Sequence, residues 1–159
     1  MSLLAACQTP AEITSEPSNA RMFGTVSQDR VAAGTTKVTV RAYLPSETGE
    51  GLGQEVLGAK CDLRSDDIIA SAVTPQEVIV PTFKQRKEFA ERGVPSALVV
   101  TCSSGGRVGK AQVTATAKSA SVGTGAGLGF ALATLVVSSA LAASTPWSYD
   151  GAVNVVLAD

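Results

Sequence analysis

The chain reads as mainly β: a small antiparallel β-sandwich with an apolar insertion, helical or hairpin, placed before its last strand. Three observations predict this. Short runs alternate polar and apolar residues, with Gly, Pro and acidic turns between them. Aromatics are only 4% of the 159 residues, and Ala, Val, Ser, Thr and Gly dominate, which suits thin β-layers better than a core of large rings. No long helical pattern separates the runs, as it would in a parallel α/β sheet.

The elements follow in order. Residues 1–34 form an N-terminal segment and tether, and 35–121 the sandwich domain. TTKVTVRAYL, at 35–44, sets Val38, Val40, Ala42 and Leu44 against Lys37, Thr39, Arg41 and Tyr43, the period of a half-buried strand. PSETGEGLGQE, at 45–55, reads as a loop by its Pro, Gly and acidic content. VLGAKCDLRS, at 56–65, puts Ala59, Cys61 and Leu63 on one face. IIASAV and EVIV are two short strands divided by a turn at Thr74–Pro75, the second stopped by Pro81. FKQRKEFAER and its surroundings predict a short helix or long loop ended by Gly93 and Pro95. ALVVTC, at 97–102, is a buried strand, CSSGGR its exit turn, and RVGKAQVTATAKS, at 107–119, alternates again. Residues 148–159 form the final strand, with Val153, Val155 and Leu157 in phase, returning to the sandwich.

Charge and residue types narrow the chemistry. The net charge of −1 provides no basic surface of the kind a phosphate backbone needs, so no nucleic-acid partner is expected; the one cationic cluster also holds Glu88 and Glu91 and reads as a solvated face. Histidine is absent, which removes the commonest general base, the commonest zinc ligand and every Ser-His or Cys-His nucleophile. Asp66 and Asp67 are adjacent, and neighbours on a strand point to opposite faces; Asp29, Glu47 and Glu50 sit in loops. GTGAGLG, at 123–129, lacks the spacing and the βαβ context of a dinucleotide loop. The expectation is therefore a protein that is not an enzyme, without catalytic residues, metal site, cofactor or small-molecule substrate.

The three cysteines divide into two and one. Cys61 and Cys102 lie in β-like runs, and these residues leave two readings open: a disulfide in an oxidising compartment, or two buried thiols in a reducing one. Cys7 ends LAAC, the form of a bacterial lipobox, whose cysteine is lipidated, and a polar Pro- and Ser-containing stretch follows. Six residues precede Cys7, with neither the basic n-region nor the apolar h-region of an export signal. Either the true start lies upstream of Met1 or LAAC is a coincidence.

GAKCDL at 58–63, VTPQEVIVP at 73–81, LVVTCSSGGR at 98–107, the Gly-rich apolar stretch and YDGAVNVVLAD at the end together resemble the PEGA-like bacterial envelope lipoproteins. That family's pattern runs GAxCxL, TPxxVxV, LxVxCxxxGY, a glycine-rich apolar segment and YDxxVxVxL. The likeness covers residues 58–159. It departs at Arg107, which follows Gly106 where the family has an aromatic, and in the inserted FKQRKEFAER. The resemblance implies a PEGA-like or Ig-like sandwich, Cys61 and Cys102 as a framework disulfide, Cys7 as the lipidated residue, and a place on the outer membrane or periplasmic face of a bacterial envelope.

Residues 122–147 are the remaining feature. No charge occurs from 119 to 149, and 126–143 in helical form would cross most of a hydrocarbon layer about 30 Å thick. Gly123 with Gly127 and Gly125 with Gly129 are small-xxx-small pairs, and Phe130, Leu132, Leu135 and Trp147 complete a candidate membrane or oligomer contact. A single crossing would strand the last β-run away from its sheet, so the favoured reading is a re-entrant or protruding hairpin or helix; a single span and a buried core helix are the alternatives. Function then divides between a lipoprotein whose partners are the membrane, through its anchor and apolar segment, or other protein chains, and a subunit of a secretion, appendage or phage-type assembly that oligomerises through 122–144.

Overall fold

A run of small aliphatics spaced two apart extends along one strand that organises the whole fold. The computed structural model describes residues 9–22, 28–86, 90–117 and 145–159. Its strands, in chain order, are β1 (Ser18–Asn19), β2 (Arg21–Met22), β3 (Val31–Pro45), β4 (Leu52–Val56), β5 (Lys60–Arg64), β6 (Ile68–Val73), β7 (Gln76–Phe83), β8 (Leu98–Ser104), β9 (Arg107–Val113) and β10 (Gly151–Val156). They form two sheets packed face to face as a small β-sandwich.

The first sheet has the order β1-β7-β3-β10, with β4 also paired to β3. β3 is its spine. β7 pairs with residues 31–40 of β3, and β10 pairs with 38–43 on the opposite edge. Because Ala42 and Tyr43 face both β10 and β4, β4 must take over the edge that β7 leaves. The second sheet, β2-β6-β5-β8-β9, is antiparallel throughout.

Alternation decides which side chains meet between the sheets. Val38, Val40, Ala42, Val78, Val80, Val153 and Val155 enter from the first sheet, and Cys61, Leu63, Ala70, Ala72, Leu98, Val100 and Cys102 from the second. Phe83 and Tyr149 add two rings, 6.1 Å apart and edge to face, a geometry that aromatic quadrupoles favour.

Both flanks are tied. On one side residues 18–22 switch sheets, pairing first in parallel with β7 and then antiparallel with β6. On the other, Val108 and Ala158 exchange backbone hydrogen bonds of 3.1 Å. At that seam a Cβ on Gly109 would lie 2.1 Å from the Val156 carbonyl oxygen, so the close approach requires glycine.

The structure departs from the sequence expectations in several places. The sandwich is not wholly antiparallel: β10 joins β3 in parallel, as β1 joins β7, and local alternation carries no information on strand direction. Within 45–55, where a loop is predicted, Leu52–Val56 form β4, because β3 continues past the end of β7 and exposes an edge to pair with. β7 runs through Pro81 to Phe83. Pro81 sits beside the irregular register between Val31 and Thr35 and past the end of β1, where a regular ladder bond is not required of it. β9 ends at Val113, short of the predicted 119, and in the charged segment the described residues form a 3-10 turn at Ala90–Gly93.

Cys61 and Cys102 are directly opposed on β5 and β8 and form a disulfide, with Cα atoms 4.0 Å apart and both residues buried. The bond spans a sequence separation of 41 residues, worth about 4 kcal/mol in the chain-entropy account. Replacing both cysteines by alanine is expected to cost about 2–5 kcal/mol in urea denaturation of the oxidised protein. An unchanged midpoint would show that the cross-link does not constrain the unfolded chain.

Candidate functional site

The sandwich has two ends of different character. β3 finishes at a hairpin end, made of the β3–β4 loop, the Leu57–Gly58 and Thr74–Pro75 turns and the β8–β9 turn. It starts at a stem end, where the chain leaves for residues 118–144 and comes back. Along β3 the two are separated by about 45 Å at ~3.3 Å per residue.

At the stem end, the chain's departure and return are fastened to each other. Thr116 and Ser148 form an antiparallel bridge with two backbone bonds of 2.9 Å. Phe83 and Trp147 form another, with bonds of 2.8 and 2.7 Å. The Trp147 indole N–H donates to the Arg92 carbonyl at 3.1 Å, and Gln85 Nε2 donates to the Thr145 carbonyl at 2.7 Å. Arg92 itself is held at φ 54°, its carbonyl also accepting from the Arg86 N–H at 3.0 Å.

Behind these stems lies a buried polar core. Tyr149 is fully buried; its hydroxyl donates to the Ser96 carbonyl, and its own carbonyl accepts from Thr36 Oγ1 at 2.6 Å. Burial pushes the Tyr149 phenol up to about 12, with the Asp67 and Asp66 carboxylates acting in the same direction against the Ser65 hydroxyl. Asp67 is 3% exposed and pairs with Arg30 at 3.4 Å, while Ser65 Oγ accepts from the Asp67 and Ile68 N–H groups at 3.2 Å.

The hairpin end is crossed by the N-terminal strap, residues 9–17, which the sequence reads as part of a free tether. Arg41 and Glu55 lie on the outer face of the first sheet, 2.6 Å apart, with side chains 15% and 11% exposed. Together they grip one peptide unit of the strap: Arg41 Nη1 donates to the Ala11 carbonyl at 2.9 Å, and the Ala11 N–H donates to Glu55 Oε2 at 2.7 Å. Further along, Gln76 Nε2 donates to the Glu16 carbonyl at 2.6 Å and Ser18 Oγ to the Ser71 carbonyl at 2.8 Å. Burial under the strap raises the Tyr43 phenol, and the Glu55 charge adds to this. Thr9 and Pro10 then border an open groove of about 780 Å³, with Tyr43, Leu44, Pro45 and Leu52 on its other side.

A fourth constraint sits between β6 and β7. Thr74 Oγ1 accepts from the Ala59 N–H at 3.1 Å and donates to the Val56 carbonyl at 2.8 Å, while its backbone bonds Ala59 and Gly58. One buried residue thus holds together the turns at which the chain changes sheet.

The chain matches no protein-family model, no curated protein and no solved structure. Among the described residues no group of three or more His, Cys, Asp or Glu is gathered to hold a metal. Nor is any helix among them long and apolar enough to cross a membrane. The acidic residues do not converge: Asp29 pairs with Arg86 at 3.7 Å and Asp67 with Arg30, while Glu47 and Glu50 are exposed at the far end.

Of the predicted contact residues, Trp147 is half-buried and braces the returning stem. Cys7, Gly123, Gly125, Gly127, Gly129, Phe130, Leu132 and Leu135 lie outside the described residues. The pairs Arg41–Glu55 and Thr116–Ser148 are not evident in the sequence. Arg41 falls on the polar side of an alternating strand, where a solvated cation is the ordinary reading, and only the strap laid over it makes it a clamp.

Two consequences can be measured. Below pH 10.0 Tyr149 is protonated in both folded and unfolded chains and adds no pH dependence. Between pH 10.0 and about 12 the unfolded phenol ionises first, so stability falls by about 1.4 kcal/mol per pH unit. Tyr149→Phe should cost about 1 kcal/mol at neutral pH, and its deficit against the native protein should shrink across that alkaline window. Arg41→Ala leaves Glu55 buried without its cation, at a cost of about 3 kcal/mol, and should speed amide exchange at Ala11 by more than about tenfold while the Val100 amide stays protected.

Proposed function

We propose that this chain is a non-enzymatic lipoprotein of the bacterial cell envelope, a disulfide-clamped β-module anchored through Cys7 that presents its apolar segment to a partner. The buried Cys61–Cys102 disulfide is the observation that carries the reading. A bond of this kind persists in an oxidising compartment, and LAAC provides the means of staying at a membrane there. The short motifs shared with the PEGA-like lipoproteins point to the same compartment and, in finer detail, to a sandwich of that type with an apolar helical or hairpin insertion before its last strand.

The stem geometry refines the role of residues 118–144. Thr116 and Ser148 are bonded to each other, which supports an excursion that departs and returns on one side and argues against a single crossing. Thr9 lies at the hairpin end and Thr145 at the stem end, so the described chain leads toward Cys7 and toward the apolar segment from opposite ends of the domain. That separation favours contact with another protein chain over contact with the anchoring bilayer. It also gives the second reading, a subunit of a larger envelope or appendage assembly, a specific basis.

The mass of the N-terminal fragment of natively expressed protein tests the anchor. A diacylglyceryl-modified Cys7 is expected, and an unmodified cysteine on a cytosolic chain would remove the lipoprotein reading. Cross-linking tests the assembly: a ladder that survives in detergent and collapses to monomer on Gly127→Ile would establish self-association through the segment, whereas a wild-type monomer would leave only a different partner for it.

A further inference from the structure

Three side chains on the outer face of the first sheet are buried beneath a segment that buries none of its own. Arg41, Tyr43 and Glu55 stand on the polar side of β3 and β4, yet the Arg41 and Glu55 side chains are only 15% and 11% exposed and Tyr43 only 9%. The strap lies over them, and no residue from 9 to 22 is buried. Ala11 and Ile13 are half-buried, while Glu12 and Thr14 are exposed, the alternation of an extended segment laid flat on the sheet. The sheet holds this segment by its main chain: the Arg41, Glu55 and Gln76 side chains bond the Ala11 carbonyl, the Ala11 N–H and the Glu16 carbonyl. Past Pro17 the fastening changes kind, because Ser18–Asn19 and Arg21–Met22 pair by backbone ladders with β7 and β6. Pro17 therefore divides a strap gripped by side chains from a segment woven into both sheets.

We propose that residues 9–16 exchange between two copies of this chain, each laying its strap in the Arg41–Glu55 seat of the other. The partner follows from the fit. The seat takes an extended main chain with a small residue at the grip, and residues 9–16 are the segment whose fit the structure shows. A second copy restores the same three bonds, and the strap's departure takes no buried side chain with it, so exchange is close to neutral in energy and concentration decides it. A pivot at Pro17 leaves β1 and β2 in place. From Ser18 back to Ala11 the chain reaches at most about 25 Å, so the outer faces of the two first sheets must oppose each other. Each copy gives and receives the same segment, which closes the assembly as a two-fold dimer. In dilute solution each strap keeps its own seat; at a local concentration on the order of millimolar, that of a short tether, the second copy competes. The inference uses the strap, β3, β4 and β7 alone and stands apart from the lipoprotein reading.

Two full-length variants with complementary defects test the exchange. Arg41→Ala removes the seat and leaves the strap. Ala11→Pro keeps the seat and spoils the strap, since a ring carbon replaces the hydrogen between Ala11 N and Glu55 Oε2, which lie 2.7 Å apart. The Ala11 amide of an isotope-labelled Arg41→Ala chain exchanges fast when that chain is alone, and should slow by at least about tenfold when the unlabelled Ala11→Pro chain is added at about 1 mM. That amide exists in only one of the two chains and reports the seat itself, so association through residues 118–144 does not imitate the signal. Unchanged exchange, with the Val100 amide protected in both chains, would overturn the proposal. If Arg41→Ala is not recovered folded, Glu55→Ala removes the seat in its place. The peptide TPAEITSEP, the sequence of residues 9–17, should restore fast exchange by competing for the seat. A scrambled peptide of the same composition that competes equally well would open the seat to any extended chain and overturn the second copy as its partner.

Discussion

The parallel ladder between β3 and β10, Val38–Tyr43 against Gly151–Val156, is the constraint on which the rest of the structure depends. It brings the end of the chain back to its centre, so Val153, Val155 and Leu157 complete a core that the earlier strands leave open. Because β10 runs in the direction of β3, its start lies at the stem end. The chain must therefore return from residues 118–144 to the place it left, and the Thr116–Ser148 bridge records that return. The same ladder carries Val156 and Ala158 to the hairpin end, where Ala158 closes the flank against β9.

A core of valine, alanine and leucine gains less from each residue than one built on large rings, because buried apolar area scales with side-chain size. Covalent and polar fastening makes up the difference at the points where local pattern is weakest. The disulfide links the two middle strands of the second sheet, Thr74 secures the passage between sheets, and Tyr149 fixes the stem end through Ser96 and Thr36. Each tie joins segments far apart in sequence, which is where loop-closure entropy opposes folding most.

The two ends of the sandwich divide its proposed work. At the hairpin end, the strap makes a stretch of polar composition into a fixed part of the domain, since the peptide unit at Ala11 is held on both its donor and its acceptor side by charged groups. At the stem end, the bridges and the Trp147 contact fasten the stretches before residue 118 and after residue 144 to each other and to β7.

ALVVTC reads only as a buried run, although Val99 of β8 is exposed, whereas period-two alternation made the buried faces of β5, and of β3 as far as Ala42, readable residue by residue, because a side chain's face in a strand depends only on its neighbours along the chain. The same property made the pairing of Cys61 with Cys102 conceivable, although not certain, before any coordinates. Direction of pairing, the existence of β4, the passage of β7 through Pro81 and the Arg41–Glu55 grip were not readable. Each depends on which edge a distant segment leaves free, and alternation is the same for parallel and antiparallel partners. By itself the sequence determined a β-rich chain with most of its core positions, two cysteines placed in β-like runs and an uncharged stretch from 119 to 149. Only the tertiary structure decided that the strap and the stems emerge at opposite ends, because that separation follows from the registers that β7 and β10 take on β3, the latter a relation between segments more than a hundred residues apart.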